Sequence, residues 1–570
     1  MTKQMKLISA SVIVIVIALI SALLAYKLAP SKEVMELTEY FEVTEDEMVI
    51  LLQDEYAEEK GYYINGVPYV SLSMVKDKFN DKFYWDKSEN MLLYVQPDGV
   101  IKASVDNEEV KINKSSSKLG YVPLKMIGEK PYVAMEYVKQ YSNVEYNVYE
   151  NPNRIVISYI WGENRLVTTV KKDTNLRYEA SNKSPIIAKM TKGDALVCVG
   201  LDEEVKKGFT KVITVDGITG YVSNKKINES NYEVYDRAFS EPEWPHIKKD
   251  YDICMVWHQV TNMQANEGLL TLLNNTKGVN TVSPTWFKIK DNEGNVDSIA
   301  SERYVSRAHQ AGVEVWGLCD DFSKDIDMAV IMQNMSAREK LQGKLVSLAI
   351  EYNLDGINLD FENIPEEAGE DFIQFVRELS VKCRNNGIVL SVNDYVPVDY
   401  RAYYDYEEQG RVADYVVIMA YDEHYSGSPE AGSVSSIDFV KNAVTKITEM
   451  VPPEQVVMAL PFYTRLWTIK NEGTESQSME TAAYGMTGAQ QLLSNRGIEP
   501  TWDEATAQYY AQYNENGAVN KIWLEENMSI EAKLKAVTEA GVTNVSFWRM
   551  GFEKSDIWNV VGQYINNDAN

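Results

Sequence analysis

From Tyr251 to Met550 the chain repeats one pattern eight times, a short apolar run followed by a stretch with helical spacing. The runs are YDICMVW, VNTVSPTWF, VEVWGLC, LDGINLDFE, IVLSVND, DYVVIMAYD, QVVMALPFY and TNVSFWRM. Between them lie helix-period segments such as SAREKLQGKLVSLAIEYN and EDFIQFVRELSVKCRNNG, the latter stopping at Gly387. Strands of this kind, each followed by a helix, pair in parallel and are covered by the helices. Eight units in this length predict a closed (β/α)8 barrel over residues 240–570 rather than an open doubly wound sheet. The interval from Thr468 to Glu539 is longer than the others and predicts an insertion before the last strand.

A barrel of this type builds its active site from the loops where the strands end. Polar residues gather there: Asp360 and Glu362 on the fourth run, Asn393 and Asp394 on the fifth, Tyr421 and Asp422 on the sixth. Tyr463 and Arg465 follow the seventh, and Trp548 and Arg549 the eighth. In Asp355–Glu362 strand alternation sets Asn358, Asp360 and Glu362 on one face and Ile357, Leu359 and Phe361 on the other. Three polar groups then point into an interior that ordinarily takes Val, Ile and Leu, and burying them without partners costs several kcal/mol. Two neighbouring carboxylates repel, which raises one pKa and keeps that group protonated near neutral pH. Glu362, the outermost, is placed to donate a proton, with Asp360 behind it to hold or share one.

These residues resemble the catalytic strand of family 18 glycoside hydrolases, the chitinase-like family, with its D-G-x-[DN]-x-D-x-E pattern. Met419-Ala420-Tyr421-Asp422 looks like the family's sixth strand and Ala459–Arg465 like its seventh, while Trp548 matches the aromatic floor on the eighth. The resemblance implies that Glu362, Asp360 and Tyr421 are catalytic. It implies substrate contacts for Asn358, Met419, Asp422, Tyr463, Arg465, Trp548 and Trp286, the last in a Ser283–Phe287 segment resembling spore- and wall-associated members. It implies substrate-assisted retaining cleavage of β-1,4 bonds at N-acetylhexosamine, with no cofactor and no metal. Asn358 stands where many members carry Asp, and Ala459 and Thr464 replace two family glycines. Glu423 and His424 fit a loop role as well as a substrate contact.

Three segments precede the barrel. Leu7–Tyr26 is uncharged and about as long as a bilayer-crossing helix needs, so residues 1–30 are expected to form a membrane anchor. A cleaved export signal is the alternative; either way the remainder lies outside the cell. Within residues 31–160 two copies align without gaps, one starting at Pro68-Tyr69-Val70 and one at Pro131-Tyr132-Val133. Each reads as strand, short helix and two strands, and the segment resembles the copper amine oxidase N-terminal-like stalk, with no ligand-rich motif for copper. Residues 161–230 carry short alternating strands and resemble a bacterial SH3-type barrel, a wall-targeting module.

The formal net charge of −28 argues against nucleic acid as a partner. Four scattered cysteines and four histidines show no metal-ligand spacing. The expected partner is a polysaccharide, peptidoglycan foremost. A non-catalytic glycan-binding scaffold and a hydrolase of chitin or N-glycans remain the alternatives, and the sequence does not fix an oligomeric state.

Overall fold

The computed structural model describes residues 3–199 and 208–565. The chain divides into two compact units, Met1–Phe83 with Lys102–Glu241, and Tyr84–Ile101 with Pro242–Asn570.

The second unit contains the barrel. Its strands are β1 (Cys254–His258), β2 (Thr281–Ile289), β3 (Glu314–Asp320), β4 (Gly356–Asp360), β5 (Val389–Tyr395), β6 (Tyr415–Met419), β7 (Val456–Pro461) and β8 (Asn544–Trp548). Each pairs in parallel with the next, and β8 pairs with β1, so the ring closes as expected. Alternation sorts the side chains. Ile357, Leu359 and Phe361 join Phe372, Phe375 and Leu379 of the helix Gly369–Asn385 in the outer core. Met255, Trp257, Trp316, Leu318, Val417 and Val457 fill the interior. Burying each such side chain contributes roughly 1.5–3 kcal/mol, and that double shell holds the strand ends in place. Low in the interior Trp316 stacks on Tyr415, ring centroids 5.5 Å apart. A Cβ at Gly356 would lie 2.7 Å from the Trp316 indole, so glycine is what admits that ring.

The expected insertion is a five-stranded antiparallel sheet in the order 478–485, 463–470, 518–524, 508–515, 501–503. The helix Met486–Ser494 packs Ala489 and Leu493 against Leu466 and Ile522 of that sheet. Its first strand starts two residues after β7, which carries Tyr463 and Arg465 out from the barrel mouth. The same unit includes the hairpin of Tyr84–Asp86 and Met91–Gln96. Arg338, on the helix Met335–Glu351, is fully buried and meets Asp86 Oδ2 at 2.7 Å.

In the first unit each repeat copy begins as expected, with a strand and a helical turn: Val67–Ser71 then Leu72–Phe79, and Lys130–Ala134 then Met135–Tyr141. The two strands pair antiparallel. The second copy's hairpin, Glu145–Tyr149 and Arg154–Ser158, adds in parallel to Glu47–Leu52. Seven strands between Asn164 and Val234 pair in one sheet among the described residues, an all-β module.

Lys3–Leu28 is one α-helix, and Ile8, Val12–Ile17, Leu19, Ile20 and Leu23 are exposed on it. Over the described residues, however, no helix is long and apolar enough to cross a membrane. The expected membrane span is therefore unsupported by the described residues.

Candidate active site

Strand β4 ends on Asp360, and Glu362 follows two residues later at the barrel mouth. The turn between them is pinned from β3: Asp321 accepts the backbone N–H of Glu362 at 3.1 Å and that of Asn363 at 2.8 Å. Asn363 Nδ2 donates to the same carboxylate at 2.9 Å. The Tyr395 hydroxyl, at the end of β5, donates to Glu362 Oε2 at 2.6 Å. Asn393, two residues earlier on β5, donates to Asp360 Oδ1 at 2.9 Å. Each carboxyl group thus has one fixed donor and is aimed by a neighbouring strand.

Burial pushes the Glu362 carboxyl above the usual carboxylate range; the Tyr395 hydrogen bond holds it down in part, and the charges of Asp321 and Asp422 push it up further. Asp360 is raised well above its ordinary value, first by burial and then by the neighbouring Glu362 charge, against the hydrogen bond from Asn393. Each charge makes it harder for the other group to ionise, so the pair resists carrying two charges at once. The outer one is the donor available to a ligand.

Both open onto a cavity of about 670 Å³, which Met419, Tyr421, Asp422, Tyr463 and Trp548 also line. The structure therefore brings together seven of the residues expected at the site. The Tyr421 hydroxyl meets no protein partner among the described residues, and burial raises its pKa well above the ordinary value. A group of that kind is a neutral donor aimed into the cavity. Asp422 adopts a left-handed backbone, φ 55°, and its Oδ1 accepts from the Tyr463 hydroxyl at 2.6 Å. Arg465 Nη2 lies 3.5 Å from that same oxygen, so it steadies Asp422 from outside the lining. Trp548 packs against Trp257 with centroids 5.8 Å apart.

Besides Arg465, two more expected substrate contacts lie off the cavity lining. Asn358 is wholly buried beneath the cavity, where its Oδ1 accepts from Trp257 Nε1 at 3.0 Å and Ser283 Oγ at 3.1 Å. It exchanges hydrogen bonds with Asn393, 2.7 Å and 3.1 Å, and donates to Ser391 Oγ at 2.9 Å. Every lone pair and proton of that amide is used within the protein, so it braces Asn393 and through it Asp360. Trp286 faces the helix layer, packed on Tyr304 at 4.8 Å and donating to Asn266 Oδ1 at 2.8 Å. Counting from Ser283, which points inward to Asn358, alternation already places Trp286 outside. Glu423 accepts from Ser436 N and Oγ at 2.7 and 3.0 Å, and His424 Nδ1 meets Ser433 O at 2.8 Å. Both hold the loop after β6, although Glu423 also reaches the lining.

Sequence reasoning missed Tyr395, Arg401 and Asp321, and the exposed rim aromatics Phe322, Tyr400 and Tyr425. All lie at or just beyond strand ends, so extending the strand-end rule a few residues into each loop reaches most of them.

Residues 323–553 match the family model Glycosyl hydrolases family 18, and residues 52–157 match Copper amine oxidase N-terminal domain. The match begins before β4 and runs through β8, and it is to the family whose strand motifs residues 355–548 resemble. The chain is 26% identical over 250 residues to the "Cortical fragment-lytic enzyme" of Bacillus anthracis, covering 42% of this chain and 56% of that one. To the "Uncharacterized glycosylase YvbX" of Bacillus subtilis (strain 168) it is 23% identical over 298 residues, 50% of this chain and 84% of that one. It therefore spans only about half of the first relative's length. The C-terminal domain of a protein described as a chitinase, from Desulfitobacterium hafniense DCB-2, shares the fold. The TM-score is 0.50 at 22% identity, covering 55% of this chain and 99% of that domain. The copper in the second family's name finds no fit here. Residues 52–157 contain neither His nor Cys, and no group of three or more His, Cys, Asp or Glu able to hold a metal occurs among the described residues.

Proposed function

We propose that the barrel hydrolyses β-1,4 bonds at N-acetylhexosamine residues, with the N-acetylglucosamine of peptidoglycan as the substrate, by substrate-assisted retaining catalysis. The observation that carries this reading is the joint placement, in one cavity, of a raised, hydrogen-bonded Glu362, a buried Asp360 beside it and the unpartnered Tyr421 hydroxyl. Glu362 gives its proton to the glycosidic oxygen as the bond from that oxygen to the anomeric carbon breaks. The substrate's own acetamido oxygen attacks the same carbon and forms an oxazolinium ion, an exception to the two-carboxylate scheme. Tyr421 donates to the acetamido oxygen and orients it. Asp360 accepts from the acetamide N–H and faces the positive charge that develops there, which offsets the burial that otherwise disfavours its ionised form. Water then attacks the anomeric carbon, returns a proton to Glu362 and releases the sugar with its configuration retained.

Peptidoglycan is favoured by the relative named for cortical fragments. The SH3-type reading of residues 161–230 adds a wall-holding module. An extracytoplasmic location rests on the sequence alone, through the uncharged run Leu7–Tyr26.

Because the acetamido group is the nucleophile, removing it removes the reaction. Peptidoglycan with intact N-acetyl groups should yield new reducing ends, and the same material after chemical de-N-acetylation should yield none. Equal release from both would eliminate the substrate-assisted route.

A further inference from the structure

The cavity is acidic, bordered by Asp360, Glu362, Asp422 and Glu423, and among its described lining residues Arg401 is the one cation. Arg401 lies in the turn Asp399–Tyr404 after β5, on a locally non-helical backbone with φ −117° and ψ 15°. Its guanidinium carbon sits 3.5 Å from the Tyr395 ring centroid and 5.6 Å from that of Tyr400. No carboxylate pairs with it among the described residues, whereas Arg338, Arg377, Arg411 and Arg496 of the same unit each pair with one. Stacking occupies the face of the guanidinium and leaves its edge N–H groups free, and that edge is the part that grips a carboxylate in bidentate fashion.

The chain of contacts fixes where such a carboxylate would lie. Arg401 stacks on Tyr395, and the Tyr395 hydroxyl donates to Glu362 at 2.6 Å. In the reading above, Glu362 protonates the oxygen that leaves with the neighbouring sugar, so Arg401 stands beside the sugar on the leaving side. When that oxygen is O4, a substituent on the adjacent O3 projects within a few bonds of the acid. We infer that Arg401 is a specificity-determining residue that binds a carboxylate carried by the O3 substituent of the leaving-side sugar. The substrate class is then an N-acetylhexosamine joined to a 3-O-carboxyalkyl amino sugar, as in muramic acid, rather than a neutral homopolymer. An anion brought this close to Glu362 and Asp360 would otherwise be repelled by them, and the stacked cation offsets that repulsion.

This inference rests on the proposed glycan site, so its test does not depend on turnover. Binding is measured by calorimetry on Glu362→Gln protein with three tetrasaccharides: alternating N-acetylglucosamine and N-acetylmuramic acid freed of peptide, the same glycan with its carboxyls reduced to alcohols, and the peptide-bearing form. The carboxylate form should bind about tenfold more tightly than the reduced one, the scale of one charge-assisted contact. Arg401→Gln should bring that ratio to about one, and Arg401→Lys should keep part of it. A preference confined to the peptide-bearing glycan overturns the inference, because the O3-linked carboxyl is there an amide and the carboxylate gripped belongs to the peptide. Equal affinities in the Glu362→Gln protein, or a preference that survives Arg401→Gln, overturn it. Failure of the wild-type chain to cleave any of these glycans would instead count against the proposed function and leave the binding ratio to be judged separately.

Discussion

Asn358 and Tyr395 show how little of a side chain's role follows from its position in a motif. The strand motif marks Asn358 as part of the catalytic run, yet all its hydrogen-bonding capacity goes to Trp257, Ser283, Ser391 and Asn393. An uncharged amide satisfies that buried crossing, whereas a carboxylate there would face the Asn358 partners as acceptor only and add a third charge near Asp360. Tyr395 lies outside the motif but touches the acid directly. Its hydrogen bond favours the ionised form of Glu362, and so holds the pKa down against burial. Tyr395→Phe removes that restraint, the folded pKa rises, and the protonated acid persists to higher pH. The alkaline limb of the kcat/KM profile should therefore move upward in pH relative to wild type. An unmoved limb, or one displaced downward, would show that Tyr395 does not set the acid's ionisation.

At the scale of elements, the repeated strands and helices were legible because each has to bury a face at a fixed period. Ile357, Leu359 and Phe361 lie in the outer core as alternation requires, and Asp360 with Glu362 at the mouth. The five-stranded form of the insertion was not legible, since Ser478–Gly485 buries none of its side chains and Gln508–Glu515 only two, which leaves little apolar pattern to read. Trp286 was misplaced because a local likeness outweighed the parity set by Ser283. The division between compact units was hidden for another reason. The first repeat copy's hairpin counts with the barrel, and what ties it there is a long-range ion pair between Asp86 and Arg338, both fully buried. The Tyr84 hydroxyl donates to Asp371 and accepts from Arg338 Nη1 at 3.2 Å. Removing one partner of a buried pair costs up to about 3–5 kcal/mol, and here Glu378, 4.0 Å from Arg338 Nη2, keeps part of the compensation. Asp86→Asn should lower the urea midpoint of the barrel accordingly, while its side-chain oxygen can still accept from Ser88 and Glu89. Tryptophan fluorescence follows that unit, because every tryptophan except Trp161 lies within it. An unchanged midpoint would mean that the pair contributes nothing net.

At the scale of the whole molecule, a barrel that matches the family 18 model follows, along the chain, a repeat segment that matches the copper amine oxidase N-terminal domain model and a small β module. The charge of −28 bears on how the chain meets its substrate. A wall polymer that is itself anionic would not be drawn in by the overall field, so capture falls to short-range contacts such as the rim aromatics and Arg401. In the proposed reaction Glu362 is the group that gives a proton to the leaving oxygen. The most direct measurement is digestion of purified peptidoglycan by the full chain beside its Glu362→Gln variant, with products read by mass spectrometry. Fragments ending in new reducing-end N-acetylglucosamine, reduced by roughly 10²–10⁴-fold or more in the variant, are what the account predicts. Release of the same fragments at equal rates by both proteins, or reducing ends on muramic acid, would contradict it.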